Sequence, residues 1–295
     1  MRQVEVRGSL SPSRAADFRS CALAYRFRTV DRLPETPSAA AARGTLVHRV
    51  LERLFDLPAS ERTPAVAVAM LPAAWTEMVE VEPVVATLFD DGRPDAQWLA
   101  SCGEVVRRWF TLEDPRGFEP LMREELVEAV LDDGLLLRGV VDRIDEAADG
   151  TVTVVDYKTG SAPPPEREGG AMFQLRFYAL LLWLTREQEP ARLRLLYLGN
   201  GEVLEYRPDR SELQATRRLL MRIWEAIALA RETGDFEPNP GPLCRWCDYQ
   251  PLCPAFGGTP PPYPGPGTEQ SGPQSGQVGD VEPDQAVAED PLRRG

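Results

Sequence analysis

Over the first 115 residues, apolar positions recur every three or four residues, the period of an amphipathic helix. Ser9-Leu10-Ser11-Pro12-Ser13 supplies a serine cap and an early proline. The spacing then predicts a helix over residues 14–27, carrying Phe18, Cys21, Leu23 and Tyr25 and stopped by Pro34 and Pro37. A second helix is predicted over residues 43–55, with Val47, Leu51, Leu54 and Phe55 as its apolar stripe. His48, the single histidine, projects at the edge of that stripe, about 20° from Phe55. Residues 64–115 read as two or three further helices built on Leu71, Trp75, Met78, Trp98, Val105, Val106, Trp109 and Phe110, with a turn at Asp91-Gly92-Arg93-Pro94. This helical insertion carries no chemical motif, and its aromatics read as core.

From about residue 119 the period shortens. Runs rich in valine, leucine and isoleucine over residues 124–131, 135–144 and 151–157 are separated by Asp132-Asp133-Gly134 and Ala148-Asp149-Gly150. Short apolar runs joined by turn signals predict an antiparallel meander. A helix over 171–185 follows a Pro/Gly/Glu-rich loop at 161–170, placed to sit over a site. Residues 192–206 form two strand-like runs around Gly199-Asn200-Gly201, a hairpin extending the sheet. Asp209-Arg210-Ser211 leads into a last helix to about residue 231, whose Arg217, Arg218 and Arg222 are candidates for phosphate contact. The fold expected is α/β, a central mixed sheet flanked by helices in one domain over residues 1–256. Residues 257–295, made of Pro, Gly, Ser, Gln and acids, read as a disordered tail.

Composition narrows the function. An apolar fraction of 43% suits a globular core. No run approaches the roughly 20 apolar residues of a membrane span, and the N-terminus lacks the apolar stretch of a secretory signal. A cytoplasmic location with no membrane partner is the expectation. The net charge of −13 sits awkwardly with nucleic-acid binding. From residue 258 onward six acids face two arginines, so −4 of that charge belongs to the tail and −9 to the rest.

Chemistry concentrates between residues 139 and 178. Asp142 and Asp156 lie fourteen positions apart, on neighbouring strands of the expected meander. Such a carboxylate pair can hold Mg²⁺ or Mn²⁺ through hard oxygens, and the cation can polarise a phosphoryl oxygen and activate water. Lys158, two after Asp156, adds positive charge where the transition state develops negative charge. Gln174 and Tyr178, four apart, share one helix face and can bond a phosphate or the nucleophile. The bland alternatives are a surface pair of Asp142 with Arg143, a solvated strand end at Lys158, a polar helix edge at Gln174 and Tyr178, and a boundary position for His48. Asp145 could stand behind the site or face nucleic acid, and Glu125 could orient the site or be surface charge.

Gly139-Val140-Val141-Asp142-Arg143-Ile144-Asp145, then Asp156-Tyr157-Lys158-Thr159-Gly160, then Gln174-x-x-x-Tyr178 stand in the order and spacing of a known family. They resemble the PD-(D/E)xK nuclease superfamily, and within it the RecB-type exonuclease branch, which includes nuclease modules of recombination helicases and nucleases of CRISPR adaptation. The resemblance spans about residues 8–256. It implies a restriction-endonuclease-like core and hydrolysis of DNA phosphodiesters, on single-stranded or end-containing DNA, in repair or recombination. Gly44-Thr45-Leu46-Val47-His48 resembles the family helix whose histidine ligates the catalytic metal, which implies His48, Asp142 and Asp156 as the ligand set. No Gly-x-x-x-x-Gly-Lys-Ser/Thr loop is present, so any unwinding would come from a helicase or repair partner.

Cys244, Cys247 and Cys253, with proline after the last, form a second constellation. Three thiolates so closely spaced in a reducing compartment argue for metal, not disulfides. A fourth ligand is needed, and Cys21 is the natural candidate, with His48 the alternative. Zinc and iron–sulfur both satisfy four thiolates. By the resemblance, Cys21, Cys244, Cys247 and Cys253 hold a [4Fe–4S] cluster that staples the two ends of the domain together. Cys102 matches no spacing. Two other classes compete: a DNA-binding subunit that does not cut, for which intact Asp142, Asp156 and Lys158 have no use, and a redox sensor, which leaves the same residues unexplained.

Overall fold

A computed structural model describes residues 5–164, 169–187 and 189–266. Its centre is β3 (Leu135–Glu146), the longest strand. Along one side β3 pairs antiparallel with β2 (Met122–Val130), Met122 opposite Ile144 and Val130 opposite Leu136. Along the other it pairs parallel with β1 (Gly8–Leu10) and, further on, antiparallel with β4 (Val152–Lys158). β5 (Arg192–Tyr197) joins β4 in parallel, and β6 (Glu202–Tyr206) closes the sheet as its antiparallel hairpin partner. The meander and the hairpin stand where the turn signals put them. β1 was not expected: its three residues carry no period and exist as a strand only by pairing with Leu135, Leu136 and Leu137.

Helices cover both faces. On one, α1 (Pro12–Ser20), α6 (Gly169–Arg186) and α7 (Arg210–Thr233) enclose a core with Leu137, Val141, Ile144, Val154 and Leu195. On the other, α3 (Ala39–Leu54), α4 (Pro64–Val81) and α5 (Ala96–Leu112) bury Leu51, Trp75 and Trp109 against Val155, Tyr157 and Leu196. The helical insertion is thus α4 and α5. α4 alone meets the length and hydropathy of a membrane span among the described residues. It is a packed helix here, burying Ala67, Leu71, Ala74, Trp75 and Met78.

The first helix differs from its expectation. α1 stops at Ser20, Cys21 is extended (φ −161°, ψ 113°), and α2 (Ala22–Tyr25) restarts and widens into a π-turn over Arg26–Val30. The Cys21 N–H closes α1 on the Asp17 carbonyl, and the Asn239 N–H donates to Cys21 Sγ at 3.4 Å. The break therefore delivers the thiol to the C-terminal segment, a tertiary requirement that overrides a continuous helical pattern. Residues 257–266 also depart from the expected tail. Tyr263 donates to the Arg231 carbonyl at 2.6 Å and packs on Phe236 and over Arg26, whose guanidinium reaches the Pro261 carbonyl. The rest of the expected tail, and residues 165–168 of the loop before α6, lie outside the described residues.

Candidate active site

The register that pairs Arg143 with Val155 sets Asp142 of β3 opposite Asp156 of β4. Strand alternation explains most of β3, where Leu135, Leu137 and Val141 face the α6 side. Ile144 faces that side too, although it is an odd number of residues from Val141, so alternation slips around Asp142. Opposite the slip, Glu124 of β2 has left-handed backbone (φ +44°) and drops out of the ladder between Arg123 and Glu125. A glutamate gains nothing locally from that conformation, and such strain collects at functional sites. Its effect is to swing the Glu124 carboxylate towards Asp142.

α3 supplies the third group. His48 Nδ1 lies 3.2 Å from Glu124 Oε1 and 3.6 Å from Asp142 Oδ1, and Nε2 is 3.0 Å from the Tyr157 carbonyl. One ligand-type atom each from His48, Glu124 and Asp142 falls within 4.8 Å of the other two. Asp142 Oδ2 accepts the Tyr157 N–H at 2.7 Å. Asp156 is 1% exposed; its Oδ2 faces Lys158 Nζ at 2.6 Å, and its Oδ1 is buried with no hydrogen-bond donor. An orphaned buried carboxylate oxygen is costly unless something positive satisfies it.

Electrostatics agree with a seat for a cation. Burial pushes the His48 imidazole towards neutrality, but Asp142, Glu124 and Asp156 outweigh it and raise its pKa to about 9. Burial, then the neighbouring Asp142 charge, lifts Asp156 to about 6 against the pull of Lys158. Asp142 is raised as well, by burial first. Hard oxygens, one imidazole and stored negative charge are a donor set suited to Mg²⁺ or Mn²⁺.

Lys158 carries the site on to α6. Its ammonium donates to Gln174 Oε1 at 2.8 Å, and Gln174 Nε2 donates to Tyr178 OH at 2.9 Å. A lysine can only donate, so it fixes which end of the Gln174 amide faces it. The tyrosine oxygen then accepts, and its own proton points elsewhere. Gly139 is required by this arrangement: a Cβ there would stand 2.8 Å from Tyr178 Cε1. The site opens into a cleft of about 780 Å³ between α3, the end of α4 and the segment after β4, lined among others by Arg49, Glu52, Thr159, Ser161 and Tyr197.

His48, Asp142, Asp156, Lys158, Gln174 and Tyr178 are therefore brought together. Glu125 is not: it is exposed, and the ligand-type glutamate is its neighbour Glu124. The only sequence signal for Glu124 is its place opposite Asp142 once the register is known. Arg143 does not pair with Asp142, and Asp145 bonds Arg143 (3.0 Å) with no place among the ligands. Arg217 is tied to Asp132, and none of Arg217, Arg218 and Arg222 lines the cleft.

Cys21 approaches Cys244, Cys247 and Cys253. Burial pushes the Cys247 thiol up, and the proximity of the other three pushes it further. The Gly241 N–H donates to Cys244 Sγ at 3.3 Å, as the Asn239 N–H does to Cys21. Backbone donors aimed at sulfur suit thiolates held in a metal or cluster site. Cys102 stands apart in the α3–α5 core, its thiol raised by burial to about 11.

Paired carboxylates and Asp-x-Lys on adjoining strands of a mixed sheet, with helices on both faces, define a hydrolytic nuclease of the restriction-endonuclease-like class. Residues 9–254 match the model of the PD-(D/E)XK nuclease superfamily, and the chain belongs to that superfamily. It is 23% identical over 278 residues to the Gene 69 protein of Mycobacterium phage D29, covering 83% of this chain and 96% of the phage protein. It is 29% identical over 155 residues to an ATP-dependent helicase/deoxyribonuclease subunit of Streptococcus equi subsp. zooepidemicus, covering 52% of this chain and only 14% of the streptococcal protein. In fold it is similar to a Eubacterium rectale protein assigned as an exonuclease, with a TM-score of 0.53, 14% identity, and 82% of this chain and 87% of the other covered.

Proposed function

We propose that this nuclease is a Mg²⁺- or Mn²⁺-dependent DNA exonuclease acting on single-stranded or end-containing DNA. The observation that carries the reading is the convergence of His48 from α3 with Glu124, Asp142 and Asp156 from three strands, beside Lys158. His48, Asp142 and Asp156 would hold the cation, with Glu124 as a further oxygen ligand. A cation bound there supplies polarisation of the scissile phosphoryl oxygen and a water more easily deprotonated at neutral pH. The Lys158 ammonium, held by Asp156 and Gln174, faces the cleft where negative charge accumulates as water adds at phosphorus. Tyr178, its oxygen already accepting from Gln174, has its proton free to donate to a phosphate oxygen. The attacking water gives its proton to solvent, and as the P–O bond to the leaving sugar breaks, that sugar oxygen takes a proton from solvent water and departs through the cleft.

Cys21, Cys244, Cys247 and Cys253 are read as ligands of a [4Fe–4S] cluster, with structural Zn²⁺ the alternative, and a cytoplasmic compartment would keep these thiols reduced. The match to a helicase/deoxyribonuclease subunit supports a helicase partner, and the resemblance to the RecB-type branch is what suggests a role in repair or recombination.

Anaerobically purified protein is expected to degrade end-labelled linear single-stranded DNA with Mn²⁺ or Mg²⁺ and to spare a circular strand. Lys158→Ala abolishes the cutting while the protein stays folded. Absence of cutting by wild type that retains its bound metal would favour a DNA-binding subunit instead. Iron, sulfide and visible absorbance against zinc content separate the two cysteine-site readings.

A further inference from the structure

Behind the catalytic strands lies a buried ionic network that the proposed chemistry does not use. The residue after each catalytic aspartate, Arg143 after Asp142 and Tyr157 after Asp156, points away from its neighbour to the α3–α5 side of the sheet. Arg143 is 1% exposed and donates to Tyr157 OH at 2.6 Å, a diagonal contact between the two strands that carry the aspartates. Glu113, the residue that ends α5, takes Arg143 in a two-pronged pair at 2.7 and 2.8 Å. The same carboxylate accepts from Arg194 of β5 at 2.6 Å and from Trp109 Nε1 at 3.2 Å. One side chain thus spans β3 and β5 across β4, the strand of Asp156 and Lys158. Tyr157 in turn meets the His48 ring edge-on at 5.7 Å, and its carbonyl receives His48 Nε2.

We infer that Glu113 is a positioning residue for the nuclease site, holding Asp142, Asp156 and His48 in register through Arg143 and Tyr157. The inference rests on the nuclease reading of that site. A buried network of this kind is more than filler, because two-pronged Arg–carboxylate pairing fixes direction as well as distance. A catalytic constellation also loses much of its rate on shifts of about 1 Å. The helical insertion, which has no motif of its own, gains a role here: it ends in the group that sets the spacing of the catalytic strands.

The test compares wild type, Glu113→Gln and Tyr157→Phe by three readouts: thermal midpoint, Mn²⁺ affinity by calorimetry without DNA, and kcat and KM on linear single-stranded DNA. Positioning predicts that folded Glu113→Gln binds Mn²⁺ at least about 10-fold more weakly and loses kcat by a similar factor, with KM within about twofold. A variant that melts earlier but keeps wild-type Mn²⁺ affinity and kcat at the assay temperature would show a merely structural residue and overturn the proposal. Should Glu113→Gln not fold, Tyr157→Phe, which removes one hydroxyl from the same chain of contacts, is read by the same criteria. If wild type itself does not cut DNA, the nuclease reading falls separately, and the Mn²⁺ affinities alone decide whether Glu113 positions the site.

Discussion

Glu124 shows what a single residue is made to tolerate by its site. Its left-handed backbone costs an ordinary side chain about 1–2 kcal/mol, and its carboxylate joins a pocket already crowded with Asp142 and Asp156. Glu124→Gly is expected to raise stability by about 1 kcal/mol in denaturant unfolding, since glycine adopts that conformation freely. The same change should lower DNA cleavage by about 10-fold or more and raise the Mn²⁺ concentration needed for half-maximal rate. Glu125→Gln, one residue along and exposed, should change neither. Gly139 makes the complementary case. Gly139→Ala drives a methyl into Tyr178 and is expected to cost about 1–3 kcal/mol, with kcat falling because Gln174 and Lys158 are held through Tyr178. Equal stability and rate in Gly139→Ala would mean that Tyr178 has room to move. The glycine, Asp142, Asp156, Lys158, Gln174 and Tyr178 were all legible as spaced motifs. Glu124 was not, because its role comes from a slip in strand alternation that no periodicity records.

At the scale of elements, the meander was readable because Asp-Asp-Gly and Ala-Asp-Gly announce its turns and valine-rich runs fill its strands. β1 was invisible, being three residues that owe their strand to β3, and the break at Cys21 was hidden by a good helical pattern on both sides. The contact between α5 and the sheet was hidden too, since Glu113 reads as one more acid at a helix end. Its energetics are testable apart from any catalytic role. Burial alone would raise the Glu113 pKa, but the hydrogen bonds and charges of Arg143 and Arg194 prevail and hold it below its usual 4.5. A carboxylate with a depressed folded-state pKa contributes stability above its unfolded pKa and loses it as pH falls through the folded one. Glu113→Gln, which leaves buried Arg143 with the Asp145 carboxylate but without its two-pronged partner, is expected to cost about 2 kcal/mol at pH 7. The gap between variant and wild type should begin to narrow as pH drops below about 4.5, where Glu113 of the unfolded chain takes up a proton, and close as pH falls through its lower folded-state pKa. A gap that stays constant down to pH 3 would show that packing, not charge, accounts for the loss.

Over the whole molecule, residues 20–36 are tied to residues 237–249. Asn239 Nδ2 donates to the Ser20 carbonyl (2.9 Å), the Leu23 N–H to Glu237 (3.3 Å), the Thr36 N–H to Asp248 (3.1 Å) and Tyr249 OH to Leu33 (3.3 Å). These bonds are long or partly exposed, and Leu243, Trp246 and Phe256 stand in solvent, while Tyr249 packs edge-on against Phe27 and Phe236 is buried beneath Tyr263. The four converging thiols are what would make the closure strong. A cross-link from Cys21 to Cys244 removes a loop of more than 200 residues from the unfolded chain, worth roughly 5 kcal/mol on loop-closure arguments. Cys21→Ser is therefore expected to lose the bound metal or cluster and a comparable share of stability, read as a lower thermal midpoint together with iron, sulfide and zinc analysis. Tyr263→Ala, which removes only an aromatic anchor of the same closure, should cost about 3 kcal/mol and leave the metal content unchanged. A Cys21→Ser protein that melts with wild type and retains its metal would assign the site to the three C-terminal thiols and another ligand. The two segments would then be held by hydrogen bonds and by the packing of Tyr249 and Tyr263.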